Sequence, residues 1–359
     1  MSVSNRDVMG RLLCGLAAVV VALSSALGLA LPRAARADDT PPPQAGRLGL
    51  IEENDGILSH QDRHYTQGLR ISYLSGSLPQ GSFWDRSFDW IGVVLPMYRS
   101  SAESQRRFEW QVLGQSEFTP KDTHLVPPDP TDRPYAAWLY TGFDWLQEND
   151  GHSLHNLEAQ VGVVGPAAFG KQVQNGYHAI AGFGKAEGWK YELANRPAFQ
   201  FSYEYHRRLE LELGDRFGFD FVPEAGLSMG TVMRYAEVGG LLRFGNALHA
   251  DYGPERIRPA LSGTAYFDER GLGTGKFHFY LFAGAQGRRV FYNRFIDGSK
   301  EIENPGIDRK QEVADFVGGT SLFFTRRVRA DFSAVLRTAE YSGQPRKDSY
   351  GSAEISVQF

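Results

Sequence analysis

The chain has 359 residues, a formal net charge of −4 at pH 7, forty glycines and 13% aromatic residues. The absence of a basic excess argues against a nucleic-acid-binding protein. Its single cysteine, Cys14, rules out a disulfide framework. The length would allow two domains, but no linker-like stretch divides the chain, so one domain is expected.

The N-terminus has the pattern of an export signal. Basic residues precede an apolar run at 12–31, and Ala35-Arg36-Ala37 supplies a small-x-small cleavage pattern. A membrane anchor is the alternative for an apolar run of this length, but the cleavage pattern favours a removable signal. We therefore predict a signal peptide at 1–37, a flexible lead-in at 38–46 and a mature domain at 47–359.

Strict alternation of apolar and polar residues indicates β-strands. Residues 352–359 alternate in this way and end at Phe359, which resembles the assembly signal of bacterial outer-membrane proteins. Residues 201–213 and 328–336 repeat the pattern, with one apolar face and one charged face, and Arg207 is the exception on the apolar face of 201–213. Such strands suit a closed sheet with lipid outside and a polar lumen. A soluble sandwich with one wet face is the alternative, and the export signal disfavours it.

The sequence therefore predicts an all-β fold, namely an integral outer-membrane antiparallel β-barrel of about twelve strands. The predicted strands lie at 47–55, 64–75, 106–117, 135–147, 153–165, 198–213, 216–228, 231–245, 276–293, 309–325, 327–341 and 349–359. An even number puts both termini in the periplasm and the connections after odd-numbered strands outside the cell. Two periplasmic connections, 76–105 and 246–275, are too long for simple turns. The first contains aromatic residues typical of a membrane interface, and the second leaves room for an extra pair of short strands.

Two polar clusters meet at the extracellular rim of the predicted barrel. Asn54 and Asp55 end the first strand, Thr66 begins the second, and His178 lies in the third extracellular connection. Along the second strand, alternation predicts that Tyr65 faces lipid and Thr66 faces the lumen. Strand construction does not require this concentration of polar groups, so it indicates a functional site.

A short helix is predicted in the third extracellular loop. Residues 171–181 contain no proline and allow two or three helical turns, although Gly176 weakens the helix by roughly 1 kcal/mol. On this helix Gln174 and His178 are four residues apart and share one face. Both side chains would then point at the same spot above the barrel wall.

Four motifs carry a resemblance to a known family. They are Glu53-Asn54-Asp55, Tyr65-Thr66-x-Gly68-Leu69, Asp132-Arg133-Pro134-Tyr135-Ala136 and Val173-Gln174-Asn175-x-x-His178. Their order and spacing are similar to those of the outer-membrane lipid A 3′-O-deacylase family (LpxR-like), over essentially the whole mature chain. The resemblance implies a twelve-stranded barrel that hydrolyses the ester of the 3′-acyloxyacyl group of lipid A with calcium as cofactor. It implies His178 as the general base, Asn54, Asp55, Thr66 and Gln174 as the rest of the site, and calcium at Asn54 and Asp55.

The residue types agree with this chemistry. A histidine titrates in the range that a general base needs. The Asp55 carboxylate and the Asn54 carbonyl oxygen are hard ligands suited to calcium. Gln174 and Thr66 can orient water or a substrate carbonyl through hydrogen bonds. Asn54-Asp55-Gly56 alone would be read as a turn, but its combination with the other residues favours a site.

Two further residues are predicted to bind substrate. Relatives carry a functional lysine in the second extracellular loop, and Lys121 is the nearest candidate here. Arg133 either recognises the phosphate of an anionic glycolipid or fixes that loop through an ion pair. Some relatives have an acidic residue six positions after the histidine, where this chain has Gly184. The predicted partners are lipid A or lipopolysaccharide and the outer membrane, with no nucleic acid, for a monomeric protein.

Two other functions stay open at this point. A passive channel or structural barrel would carry charged residues along its lumen and conduct ions without hydrolysis. An outer-membrane phospholipase would normally use an activated serine. Gly226-Leu227-Ser228-Met229-Gly230 matches the G-x-S-x-G pattern, but that pattern needs a strand-to-helix elbow, and here it falls between two predicted barrel strands.

Overall fold

The computed structural model describes residues 45–57, 63–101, 103–213, 217–259, 263–273, 275–302 and 307–359. Within these ranges, twelve antiparallel strands close into one barrel, because the first strand pairs with both the second and the last. The predicted fold class and strand number are thereby confirmed. The predicted signal peptide 1–37 and most of the lead-in 38–46 lie outside the described residues and stay predictions.

The strands follow one another around the barrel in chain order. They are β1 (Arg47–Asn54), β2 (His64–Leu74), β3 (Gln105–Thr119), β4 (Ala136–Asn149), β5 (Ser153–Val164), β6 (Arg196–Arg207, resumed at Leu209–Leu213), β7 (Phe217–Gly230), β8 (Met233–Gly245), β9 (Phe277–Asn293), β10 (Glu312–Phe324), β11 (Val328–Arg337) and β12 (Asp348–Gln358). Both segments of β6 pair with β7, so they act as one strand. The connections carry the helices α1 (Phe83–Val94), α2 (Gly170–Ala181) and α3 (Arg294–Asp297). None of the helices in the described ranges has the length and apolar character required to cross a membrane.

Alternation along the strands separates a lipid-facing surface from a polar lumen. Phe201 and Leu211 of β6 are 52% and 64% exposed, whereas Glu204 on the same strand is buried. In β11, Phe332 is exposed and its neighbour Asp331 is buried. The period-two pattern seen in the sequence therefore sets the orientation of these strands, as expected for an outer-membrane barrel.

The two ends of the barrel can be told apart by the chain termini. Arg47 lies opposite Gln358 in the β1–β12 pairing, so both termini are at one end. With that end in the periplasm, the connections after β1, β3 and β5 are extracellular. The third of them contains α2, which confirms the predicted loop helix at 171–181.

The connection between β8 and β9 folds back into the lumen. We call its segment 251–259 the plug; all of its residues are buried except the half-buried Arg258. Ion pairs join it to the wall, at Asp251 with Arg243 (2.5 Å) and Arg329 (3.0 Å), Glu255 with Arg70, Arg256 with Glu53 (2.7 Å), and Arg258 with Glu158 (2.9 Å) and Glu204. The described parts of 246–275 contain no strand. This connection therefore forms the plug there and not an extra pair of short strands.

We expect the protein to conduct no steady ion current when it is reconstituted in a planar bilayer. Two cavities that border the plug measure about 10 and 20 Å³, and each has room for about one water molecule rather than a hydrated ion. The measurement is the current under an applied voltage, with an open porin as the positive control. Discrete, stable opening steps would contradict the expectation and favour the channel alternative.

Candidate functional site

A cavity of about 160 Å³ lies at the extracellular rim, where the first three extracellular connections meet. All five predicted catalytic residues line it and are at most 5% exposed, namely Asn54, Asp55, Thr66, Gln174 and His178. The structure thus brings together groups from two distant parts of the sequence, and their chemical roles stay predictions. The cavity also has lining residues that the sequence reasoning missed, namely Gly56, Gln67, Thr123, His124, Tyr177, Phe183 and Gly184.

The cavity lies on the outer side of the barrel wall. Glu53 points into the lumen and contacts Arg256 of the plug. Alternation turns the next residue, Asn54, to the opposite face. On that outer face, Glu52 accepts a hydrogen bond from Nε2 of Gln67 at 3.0 Å, and Gln67 is the β2 partner of Asn54. The site therefore borders the lipid side of the wall rather than the lumen.

The predicted orientations of Tyr65 and Thr66 are wrong because of a β-bulge. The register between β2 and β3 skips Thr66, which lies between Tyr65 and Gln67. One extra residue reverses the alternation, so Tyr65 turns inward and its hydroxyl donates to Glu53 Oε2 at 2.8 Å. Thr66 instead joins Gln67 at the cavity, and its Oγ1 lies 2.6 Å from Oγ1 of Thr119.

The end of α2 fixes the ring of His178. Gly182 adopts a left-handed conformation (φ 81°), which glycine allows without strain, and its N–H donates to the His178 carbonyl at 2.8 Å. The chain then reverses, so that the Gly184 carbonyl oxygen lies 2.5 Å from His178 Nδ1. Asn175 holds the returning segment through hydrogen bonds with the backbone of Ala186 at 2.8 and 3.3 Å.

Hydrogen bonds also determine which side-chain atoms of His178 and Gln174 act as donors and which act as acceptors. A carbonyl oxygen only accepts, so Nδ1 of His178 carries the hydrogen in the neutral ring and Nε2 is its basic nitrogen. Trp189 Nε1 donates to Gln174 Oε1 at 2.6 Å, so the amide NH₂ of Gln174 is the end turned away from Trp189. Phe183 packs edge-on against the His178 ring at 5.7 Å. The helix therefore presents a base and a hydrogen-bond donor to one cavity.

Side-chain oxygens of a type that can bind a cation lie together at the end of β1. Asn54 Oδ1 accepts from the Gly56 N–H at 2.7 Å, and Asp55 Oδ2 accepts from the Arg63 N–H at 2.6 Å. In the part of the chain that the structure describes, no group of three or more His, Cys, Asp or Glu side chains is arranged to hold a metal ion. A cation here would rely on Asp55 and neutral oxygens, a donor set that suits calcium better than a transition metal.

Tyr177 adds a hydroxyl to the cavity. Burial raises the pKa of Tyr177 above its ordinary value, and the nearby carboxylates of Glu52 and Asp55 raise it further. The side chain therefore stays protonated at neutral pH and can donate a hydrogen bond. Sequence reasoning missed it because a tyrosine beside a helical histidine carries no distinctive signal.

The two predicted substrate-binding residues do not line the cavity. Lys121 lies in the exposed part of the second extracellular connection. Arg133 is fully buried, where its Nη1 lies 3.2 Å from Glu340 Oε2 and its guanidinium lies 4.7 Å from the centre of the Phe118 ring. This position favours the alternative in which Arg133 fixes the second extracellular loop.

A buried hydrogen-bond network connects Asp132 in the second extracellular connection to His64 at the start of β2 and to residues in and directly after the connection between β11 and β12. Nδ1 of His64 lies 2.7 Å from Asp348 Oδ1, Nε2 of His64 lies 2.9 Å from the Tyr341 hydroxyl, and that hydroxyl donates to Asp132. Burial alone would raise the pKa of Asp132. Hydrogen bonds from His64, Tyr341 and the backbone N–H of Lys121 outweigh it and hold this pKa well below its ordinary value. The network thereby anchors the loop that forms one side of the cavity.

Substitution of Asp132 by asparagine should lower the free energy of unfolding at pH 7 by about 1–3 kcal/mol, because an amide presents a donor to buried donors. The measurement is the denaturant midpoint of the micelle-embedded protein, with exposed Asp129→Asn from the same loop as the control. The lowered pKa means that the carboxylate stabilises the fold above the unfolded-state pKa of 3.8. Its contribution should therefore be lost only as the pH falls below about 4. Equal midpoints for wild type and Asp132→Asn at pH 7 would contradict this.

The fold has counterparts among solved structures. LpxR from Salmonella typhimurium matches with a TM-score of 0.67 and 21% identity, over 87% of this chain and 100% of that chain. The β domain of the Bordetella autotransporter BrkA matches with a TM-score of 0.43 and 12% identity, over 88% of this chain and 100% of that chain. An outer-membrane channel from Pseudomonas putida F1 has a TM-score of 0.39 and 9% identity, over 91% of this chain and 100% of that chain. A comparison with curated proteins found no match.

Family assignment rests on the sequence itself. The family model described as "Outer membrane protein LpxR" matches residues 17–359. This range includes every strand of the barrel and every residue of the cavity. The match also agrees with outer-membrane localisation, which the closed barrel and its exposed apolar strand faces support independently. The chain therefore belongs to the LpxR family of outer-membrane proteins.

Proposed function

We propose that this protein hydrolyses the ester that links the 3′-acyloxyacyl chain to the sugar of lipid A. Its membership of the LpxR family supports lipid A as the molecule that it remodels in the outer membrane. One observation carries the proposal. His178 donates from Nδ1 to the Gly184 carbonyl and lines the same cavity as Asn54 and Asp55.

The location of the cavity suits a substrate that stays in the membrane. It borders the lipid side of the wall near the extracellular rim. Apolar side chains on the neighbouring loops are 43–73% exposed, namely Leu125, Val126, Phe169, Ile180 and Phe183. A cluster of this kind favours contact with acyl chains over contact with water. The ester of an outer-leaflet lipid can thus approach from the side.

In the proposed reaction, a water molecule attacks the ester carbonyl carbon while Nε2 of His178 accepts its proton. The tetrahedral intermediate carries its negative charge on the former carbonyl oxygen. The NH₂ group of Gln174 and the hydroxyl of Thr66 can donate to that oxygen. The intermediate then breaks its bond to the sugar oxygen, which takes the proton back from the imidazolium. The products are a free 3′-hydroxyl group on lipid A and a released acyloxyacyl carboxylic acid.

Calcium is the proposed cofactor. Asp55 and Asn54 would hold it, and their fixed oxygens at the end of β1 agree in chemical type with calcium ligands. When bound, calcium supplies positive charge that favours the oxyanion. The protein itself supplies the orientation of the reacting groups. The turn after β1 orients the calcium ligands, and α2 orients the general base.

The test is mass spectrometry of lipid A from a bacterium that expresses this chain, grown with calcium. We expect a new species that lacks the 3′-linked acyloxyacyl group and is absent with an empty vector. Unchanged lipid A from a correctly folded and inserted barrel would refute the proposal. Loss of an acyl chain from another position of lipid A would still indicate an esterase, but one that cleaves a different ester.

The phospholipase alternative lacks structural support at its candidate nucleophile. Ser228 lies within β7, is 2% exposed, and its Oγ accepts from Gln200 Nε2 at 2.5 Å and lies 2.7 Å from Ser202 Oγ. It is part of a buried hydrogen-bond group inside the barrel and not of a strand-to-helix elbow. Mass spectrometry of the phospholipids from the same cells should show no increase in lysophospholipid.

A further inference from the structure

Helix α1 lies on the outside of the barrel wall, near the periplasmic end. Trp84 stacks on Phe108 of β3 and on Phe143 of β4, with ring centroids 4.5 and 5.4 Å apart. Both phenylalanines alternate with residues buried in the lumen, Glu109 and Asp144, so they lie on the outer face. The connection from β2 to β3 starts at the periplasmic end, and α1 therefore covers the wall at the level of the periplasmic leaflet.

The polar side of α1 is turned towards the wall. Arg106, on the outer face of β3, lies 2.9 Å from both Asp85 and Asp89 of the helix. Trp145 Nε1 of β4 donates to Ser87 Oγ at 2.9 Å. Asp85, Asp89 and Ser87 of the helix thus have partners on the barrel wall, and the Asp89 side chain is at the same time 52% exposed.

The side of α1 that faces away from the wall is apolar. Phe83, Trp90, Val93 and Val94 are 62%, 64%, 75% and 79% exposed. Arg86 lies among them, and its long stem allows the guanidinium to reach a headgroup. A helix exposed to water shows the opposite arrangement, with charged residues outside and apolar residues against the protein. The pattern of α1 indicates a lipid environment.

We propose that α1 is an interfacial helix whose apolar side inserts among the phospholipid acyl chains of the periplasmic leaflet. Its apolar side continues the lipid-facing surface of the wall, where Trp110 is 41% exposed and stacks with Phe143 at 6.2 Å. Tryptophan is typical of membrane–water interfaces, and arginine with aromatic residues is typical of interfacial helices. This contact with the periplasmic leaflet is independent of the hydrolytic site at the other end of the barrel.

Site-directed spin labelling tests the proposal. Cys14 is the only cysteine, so a Cys14→Ser background permits single labels at Val93→Cys and Val94→Cys. The protein is reconstituted in vesicles of phosphatidylethanolamine and phosphatidylglycerol, and the label is exposed to oxygen and to a water-soluble nickel chelate. Val161→Cys, 60% exposed on β5, is the lipid-facing reference, and His152→Cys in the turn after β4 is the water-facing reference.

We expect the oxygen-to-nickel accessibility ratios at Val93→Cys and Val94→Cys to be closer to the value at Val161→Cys than to that at His152→Cys. A water-like ratio would overturn the proposal. Low access for both reagents would also overturn it, because another protein surface would then cover the helix. If the labelled variants do not fold, quenching of unlabelled protein by brominated phospholipids, compared with Trp90→Phe, replaces the measurement. Equal quenching of the two proteins would contradict the proposal.

Discussion

Replacement of His178 by alanine is expected to lower the rate of lipid A deacylation by about 10²- to 10⁴-fold, which is the usual contribution of a general base. The Gly184 carbonyl holds the ring through Nδ1 at 2.5 Å, so Nε2 is the nitrogen that can take a proton from water. Alanine removes this nitrogen and is itself a good helix former. Gly182 still ends α2, and the loss should therefore appear in kcat and not in the amount of folded barrel.

The rate is measured as release of the acyloxyacyl acid from lipid A in mixed micelles with calcium, at equal concentrations of folded protein. Folding is checked by the heat-dependent gel mobility of the barrel. His152→Ala is the matched control, because this exposed histidine lies in the turn after β4, at the opposite end from the cavity. An unchanged rate for His178→Ala would remove this residue from the centre of the mechanism while leaving the esterase proposal intact.

The barrel could be predicted from the sequence because one face of each strand contacts lipid and the other faces the polar lumen. Lipid outside and polar groups inside impose a period of two, which is visible in Phe201 and Glu204 of β6. The helical pair Gln174 and His178 was predictable for a similar reason, since a spacing of four residues defines one face of a helix. In both cases a local pattern was enough to orient the side chains.

The bulge at Thr66 shows where local patterns fail. Alternation counted along β2 alone places Thr66 in the lumen, because nothing in the residue types marks the skipped pairing with β3. The bulge becomes visible only when the partner strand is known. It also changes the site, since it brings Thr66 to the outer face beside Asn54 and sends Tyr65 to Glu53 in the lumen.

The plug was missed for another reason. Residues 251–259 have no periodicity, and their charges are typical of a solvated loop. Their burial depends on opposite charges from strands that are far away in the sequence, such as Glu53 for Arg256 and Glu158 for Arg258. Pairing of this kind offsets the cost of burying charge, but a single sequence does not reveal which partners meet.

Substitution of Asp55 by asparagine is the second change with a large expected effect. The amide retains an oxygen that can accept from the Arg63 N–H, which lies 2.6 Å from the present carboxylate. The turn after β1 should therefore keep its shape while it loses its negative charge. We expect the deacylation rate to fall by about 10²-fold or more, as when one group that stabilises the oxyanion is removed. The calcium concentration for half-maximal activity should rise by at least about tenfold.

The dependence on calcium separates a ligand from a structural carboxylate at Asp55. A variant that only folded poorly would lose activity in proportion to the folded barrel, and its calcium titration would keep the wild-type midpoint. Exposed Asp129→Asn removes the same charge from a neighbouring loop and should change neither quantity, since the Asp129 side chain accepts hydrogen bonds from the N–H and hydroxyl of Thr131 in its own turn. A wild-type rate and midpoint for Asp55→Asn would contradict calcium binding here. The hydrolytic role of His178 would then require stabilisation of the oxyanion by Gln174, Thr66 and Tyr177 without a calcium ion held by Asp55.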